Sequence, residues 1–489
     1  MFNKKLFSKI IVAFLFVSLL VVSGISGLDS TEAFAAQQSK APKYVFYFIG
    51  DGLGASQRQI AEFYKQHLTG DKNAKLTMNT FPVAGMNTTY SADTLVTDSA
   101  AAGTALAAGH KTNNGMISVL PNGKPVKTLV EAAEEKGMAT GVITTTRLTH
   151  ATAAVFASHN PDRNAENEIA EDYLDSGVEF FAGGGYRHFL PQGWDKYEPG
   201  IKSKRKDNKN LVADFIGNGY KVFYGEKGAE WFRKYEPKGQ EKVFAPLTYS
   251  HMPYEIDRVN DNAYPSLGEI TEKGIDVLSK YENGFFLMVE GGRIDHACHA
   301  NDAAGSIHDT LAFDKALEEA VEFYNEHPEE TLIVVVGDHE TGGMGLGFSK
   351  NYFLKLEHLD GQKASFDGVI FGKYDGDRKA YFDYIAEVAG LTDLTAKERA
   401  EIEKAMDIVD SGEEYDVAVY GPSYYGPVGV ATTHVLSERA NVQWTTYAHS
   451  GTAIPMSAMG VGAENFGGYK DNTEIARTMA ELMGFELTK

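Results

Sequence analysis

Short apolar runs separated by longer helical patterns recur along this chain, and that alternation leaves few folds open. Tyr44 to Ile49 (YVFYFI), Met138 to Thr144, Phe285 to Val289 and Leu332 to Val336 read as buried strands, and Ile454 to Gly460 as a late one. Between them lie helical stretches. Ser99 to Gly109 is Ala-rich, with Asp98 and Ser99 in its first turn and Gly109 near its end, and Asp302 to Phe323 and Asn472 to Met483 are also helical. Strands joined by crossover helices build a parallel sheet. The predicted fold is therefore α/β: a doubly wound, mostly parallel central sheet flanked by helices. Two regions break the rhythm, a Lys/Gly/Tyr/Pro-rich stretch at about 186–266 and a Tyr/Gly/Asp-rich one at about 345–442 with one helical patch, Ala396 to Ala405. Both read as insertions in a single domain, and the basic run Lys202 to Lys206 as a solvated loop. No internal repeat is visible.

The N-terminus is set aside from the fold. Lys4, Lys5 and Lys9 precede an apolar run from Ile10 to Val22, and a polar stretch then ends in Ala33-Phe34-Ala35. That order predicts a secretory signal peptide over 1–35, a domain over 36–489, and a secreted or periplasmic protein without a membrane segment after cleavage. The run is too short to span a bilayer. The net charge of −21 argues against partners held by a nucleic-acid backbone, and any phosphate site needs concentrated local positive charge. Metal ions are the natural source. The single cysteine, Cys298, leaves no internal disulfide and reads as a small buried apolar residue.

Acidic and histidine residues fall where strands stop. Asp51 follows the first run, Glu290 the run Phe285 to Val289, and Asp338-His339 the run Leu332 to Val336. Ligands bind outside the carboxyl ends of parallel strands, so three such ends converge on one crevice. Asp295 and His299, four apart, share one helical face with Cβ atoms about 5–6 Å apart, a spacing that can grip one zinc ion. Ser99 is either an N-cap or a nucleophile at a helix N-terminus that favours an anion. No histidine is placed as its general base, which leaves metal activation.

F-I-G-D-G around Asp51, T-D-S-A-A-A-G-T-A around Ser99, T-H-A-T around Thr152, V-E-G-G-R-I-D-H-A-C-H from Val289 to His299, G-D-H-E-T-G-G from Gly337 and A-H-S-G from Ala448 together resemble the alkaline phosphatase family, closest to marine-bacterial members with a large crown insertion. The resemblance implies a phosphoric monoester hydrolase with two Zn²⁺ and one Mg²⁺, working through a phosphoserine. Asp295, His299 and His449 would hold the first zinc; Asp51, Asp338, His339 and Ser99 would surround the second. Asp51 would bridge to a magnesium completed by Thr152 and Glu290, and Arg163 would clamp phosphate oxygens. His150 and His296 vary within the family and read as supporting neighbours of the third site; if they ligate, that site could take zinc. His110, His159, His188, His251 and His308 read as structural or surface residues. Phosphate monoesters and inorganic phosphate are the implied small-molecule partners, and a homodimer the implied assembly. The alternatives are a phosphodiesterase or nucleotide pyrophosphatase on the same scaffold, and a non-catalytic metal- or phosphate-binding protein.

Overall fold

In a computed structural model, which describes residues 41–487 apart from 349 and 351, the apolar runs become strands. They are β1 (Tyr44–Gly50), β2 (Val83–Asn87), β3 (Ala139–Arg147), β4 (Phe180–Gly184), β5 (Tyr220–Val222), β6 (Lys242–Thr248), β7 (Phe285–Gly291) and β8 (Thr331–Gly337). The two-residue strands β9 (Glu340–Thr341), β10 (Gly345–Leu346), β11 (Val442–Gln443) and β12 (His449–Ser450) follow, then β13 (Ile454–Gly460) and β14 (Gly468–Lys470). Ten of them form one sheet in the order β14-β2-β13-β8-β1-β7-β3-β4-β6-β5. Only β13 runs against its neighbours, β8 and β2; the other pairings in the sheet are parallel. The predicted signal peptide lies outside the described residues.

Both faces of the sheet are covered, which is why β1 is apolar at every position from Tyr44 to Ile49. Val45, Tyr47 and Ile49 join one core with Ala100, Leu106, Ile475 and Met479, from the helices Ser99–Ala108 and Asn472–Met483. Tyr44, Phe46 and Phe48 join the other with Ala61, Leu317 and Phe313, from the helices Ala55–Thr69 and Ala303–Glu326. The period-two alternation of strand side chains sorts neighbours in sequence onto opposite layers.

Residues 186–266 include β5 and β6, which extend the sheet at one edge, so this stretch is not wholly outside it. The basic run within it is divided. Lys202, Lys204 and Lys206 are exposed. Arg205 is buried, contrary to a wholly solvated loop, and donates to Glu171 Oε1 (2.6 Å), both oxygens of Asp207 (2.7 Å each) and the carbonyls of Asn167 and His188 (3.1 Å each). Arg205→Ala is expected to lower stability by about 2–4 kcal/mol, because several charge-assisted bonds go at once and two carbonyls lose their donor. The midpoint of denaturant unfolding measures it, and Lys204→Ala beside it should leave the midpoint where it was.

Residues 345–442 build their own apolar cluster, including Phe366, Ile385, Ile402, Met406 and Val435, which reaches the main body through Ile60, Tyr64, Ala304 and Ile307. The helix expected from Ala396 runs to Ser411. Among the described residues no helix is long and apolar enough to cross a membrane.

Candidate active site

Strand register brings the acidic residues level. Tyr44 stands opposite both Phe285 and Thr331, and Gly50 opposite both Gly291 and Gly337. Asp51 and Asp338 each lie one residue beyond these glycines, and Glu290 one residue before Gly291, beside Ile49 and Thr144. Gly52 makes the turn that follows, with φ of +73°; a β-carbon there would lie 2.8 Å from the Asp295 Cα, so Gly alone permits both the backbone and the approach.

The donors form three overlapping groups, buried apart from the half-buried His449 and His150, each with ligand atoms within 4.8 Å of one another: Asp295, His339 and His449; Asp51, Asp338 and His339; Asp51, His150 and Glu290. His299 adjoins the first, its Nε2 being 3.3 Å from Asp295 Oδ1 and 3.2 Å from His449 Nε2. The short helix Arg293–His299 gives Asp295 and His299 the common face that their spacing implies. Thr152 belongs with the third group, donating to Asp51 Oδ2 at 3.2 Å.

Ser99 is the first residue of the helix Ser99–Ala108. Asp98 takes the capping role, accepting from the Ala101 amide at 2.9 Å. That frees the Ser99 hydroxyl, which lies 3.2 Å from His339 Nε2. Asp98 also anchors Arg163, whose Nη1 donates to Asp98 Oδ2 at 2.8 Å while Nη2 stands 3.3 Å from His150 Nε2. His296 stands apart from the three groups: its Nδ1 accepts from Arg293 at 2.8 Å, and its ring packs against His251 with centroids 4.4 Å apart. His150 packs against both, at 5.4 and 5.7 Å. His251 thus stands beside the site although nothing in its sequence surroundings marks it.

The electrostatics are those of a cation trap. Burial, then the charges of Asp338, Asp295 and Glu290, push the Asp51 carboxyl far above its usual range, and burial carries Glu290 and Asp338 up to about 8. For Asp295 burial acts in the same direction, but the His299, His449 and His339 rings outweigh it and hold the carboxyl well below normal. For His299 burial lowers the value and Asp295 more than restores it, to about 9. Asp51 Oδ1, both oxygens of Glu290, Asp338 Oδ2 and His150 Nδ1 are buried without a hydrogen-bond partner. Such atoms normally find one. Oxygen and imidazole donors in this arrangement suit zinc, and the carboxylates with a hydroxyl suit magnesium.

Backbone carbonyls that no motif could announce orient two of the imidazoles. His299 Nδ1 meets Tyr447 O at 2.6 Å, and His449 Nδ1 meets Thr97 O at 2.8 Å. Each leaves Nε2 facing the cluster. Thr341 Oγ1, part of the G-D-H-E-T-G-G motif but given no role from sequence, donates to Asp295 Oδ1 at 2.5 Å and lies 3.2 Å from His339 Nδ1.

The chain is similar to known proteins along nearly its whole length. The sequence pattern of the alkaline phosphatase family matches residues 42–485. The chain is 32% identical to alkaline phosphatase 3 of Bacillus subtilis over 503 aligned positions, covering 99% of each chain. Its fold is similar to the crystal structure of Thermus thermophilus alkaline phosphatase (TM-score 0.78, 30% identity, 94% of this chain and 96% of that one). It is also similar to a histidine-to-aspartate mutant of TAB5 alkaline phosphatase with Mg bound in its M3 site (TM-score 0.62, 28% identity, 91% and 99% covered).

Proposed function

Because the chain belongs to the alkaline phosphatase family, it is a phosphoric monoester hydrolase, and we propose that it transfers the phosphoryl group to Ser99 before water releases it. The observation that carries this reading is the position of the Ser99 hydroxyl against three donor groups that share Asp51 and His339. Asp295, His299 and His449 would hold one zinc, Asp51, Asp338 and His339 a second, and Asp51, Thr152 and Glu290 a magnesium. Bound there, the cations would supply the positive charge that acidifies the serine hydroxyl and neutralises the entering and leaving oxygens.

The residues of the chain do the rest. The Ser99 oxygen, having given up its proton, forms a bond to phosphorus as the ester oxygen leaves, giving a phosphoserine. Water then attacks phosphorus, the bond from phosphorus to the Ser99 oxygen breaks, the serine oxygen stays on the protein and regains a proton, and inorganic phosphate leaves. The amide end of the helix Ser99–Ala108 faces the anion and favours it. Arg163 grips phosphate oxygens in two-pronged fashion, its plane held by Asp98. The unpartnered, buried Nδ1 of His150 supports that residue as a further donor at the third position, which would let zinc replace magnesium there. His296, bonded to Arg293 instead, stays a supporting neighbour. We also read residues 1–35 as a signal peptide, 36–489 as one catalytic domain carrying the crown at 345–442, and the protein as a secreted or periplasmic homodimer.

Hydrolysis of a phosphate monoester at high pH, abolished by a chelator and restored by zinc plus magnesium, is the expected result. A chelator without effect, or faster turnover of a diester than of a monoester, overturns the reading.

A further inference from the structure

Asn301 follows the helix Arg293–His299 by two residues, is 1% exposed, and has a left-handed backbone with φ of +52°. Asparagine is among the few side chains that tolerate this region. Its side-chain amide and its carbonyl are all engaged, and the partners come from three separate segments. Nδ2 donates to Cys298 O at 3.0 Å, one residue before His299, and to Thr446 O at 3.1 Å, three residues before His449. The Asn301 carbonyl accepts from Thr433 Oγ1 at 2.9 Å, and Oδ1 faces His434 Nε2 at 3.1 Å. Thr433 and His434 lie on the crown helix Pro427–Arg439.

The same three segments meet again at Tyr447. Its carbonyl takes the His299 Nδ1 bond already described. Its hydroxyl donates to Val419 O at 3.0 Å and stands 3.3 Å from His434 Nε2. The distance between the segments that carry His299 and His449 is thus set twice, both times with the crown as the third party.

We infer that Asn301 is a positioning residue: it locks the His299 and His449 segments at one separation, and the crown helix, through Thr433 and His434, fixes Asn301 itself. The crown would then govern how tightly the Asp295–His299–His449 position holds zinc. Asp51, Asp338 and Glu290 are placed instead by the register of β1, β8 and β7. This inference rests on the zinc reading of Asp295, His299 and His449.

The test is competition for Zn²⁺ between the metal-free full chain and a chromophoric chelator, counting zinc bound per chain. Asn301→Gly keeps the backbone region and the carbonyl bond from Thr433, and removes the bonds of the side-chain amide. It should weaken one zinc position by about 10–100-fold, the range for changed partners of ligands, and leave the others at their wild-type affinity. The weakened position should be the one lost in His449→Gln. Thr433→Val, on the crown and away from the ligands, should weaken the same position to a smaller degree and serves if the glycine variant does not fold. Equal weakening of every position, or unchanged affinity in both variants, overturns the inference. A wild-type chain that binds no zinc would instead sink the metal reading beneath it.

Discussion

Ser99→Ala is expected to lower kcat/KM for phosphate monoesters by about a thousandfold or more and to abolish capture of phosphate on the protein after acid quench. The helix start does not depend on the removed hydroxyl, since Asp98 is the cap. Fold and stability should therefore survive. Metal content should also persist, because the three donor groups are built from carboxylates and imidazoles elsewhere. This separates a nucleophile from a structural hydroxyl. Full phosphate capture by Ser99→Ala would show that another group accepts the phosphoryl.

Removing the metals is expected to make stability fall with rising pH above neutrality. In the metal-free chain Glu290 and Asp338 ionise only near pH 8, whereas in the unfolded chain they do so near their usual values of 4.5 and 3.8. Between these limits the two carboxyls bind more protons in the folded state than in the unfolded one, so their contribution to stability falls as pH rises. His299 acts in the same direction. Its folded value of about 9 stands above the usual 6.5, so its pairing with Asp295 contributes fully below that and is lost as pH climbs through 9. Asp295, held low, contributes above its usual 3.8 and does not change within this window. A tenfold difference in a group's acidity between folded and unfolded chain corresponds to about 1.4 kcal/mol. Chelated protein should therefore unfold at a lower temperature at pH 9 than at pH 7, a window above the one in which burial of the His150, His251, His296, His339 and His449 rings, all held below the usual 6.5, acts in the opposite sense. The metal-loaded protein should lose much less over the same range, because bound cations answer the carboxylates. Thermal scans with and without chelator decide it; parallel curves for the two forms would refute a metal cluster at these residues.

Much of the site was legible because chemistry is written in residue type and in local spacing. Asp51, Glu290 and Asp338 could be assigned to strand ends from the apolar runs before them, and the four-residue step from Asp295 to His299 set their common face. Each of those readings needs only a few consecutive residues. Other features were out of reach for the same reason. That the Ser99 hydroxyl faces His339, that Arg163 leans on Asp98, and that His251 packs against His296 depend on contacts between segments far apart in the chain.

The sequence by itself determined five of the ten strands of the sheet, several of the helices that flank them and the family they belong to, since hydrophobic period and motif are properties of neighbouring residues. Tertiary structure alone decided that Arg205 is buried within a basic run, that β5 and β6 come from a stretch read as an insertion, and that His150, with one nitrogen unpartnered, joins Asp51 and Glu290. It also chose the carbonyls of Thr97 and Tyr447 to aim two imidazoles. Every residue carries the same carbonyl, so only the folded path of the chain can select which one meets a given ring.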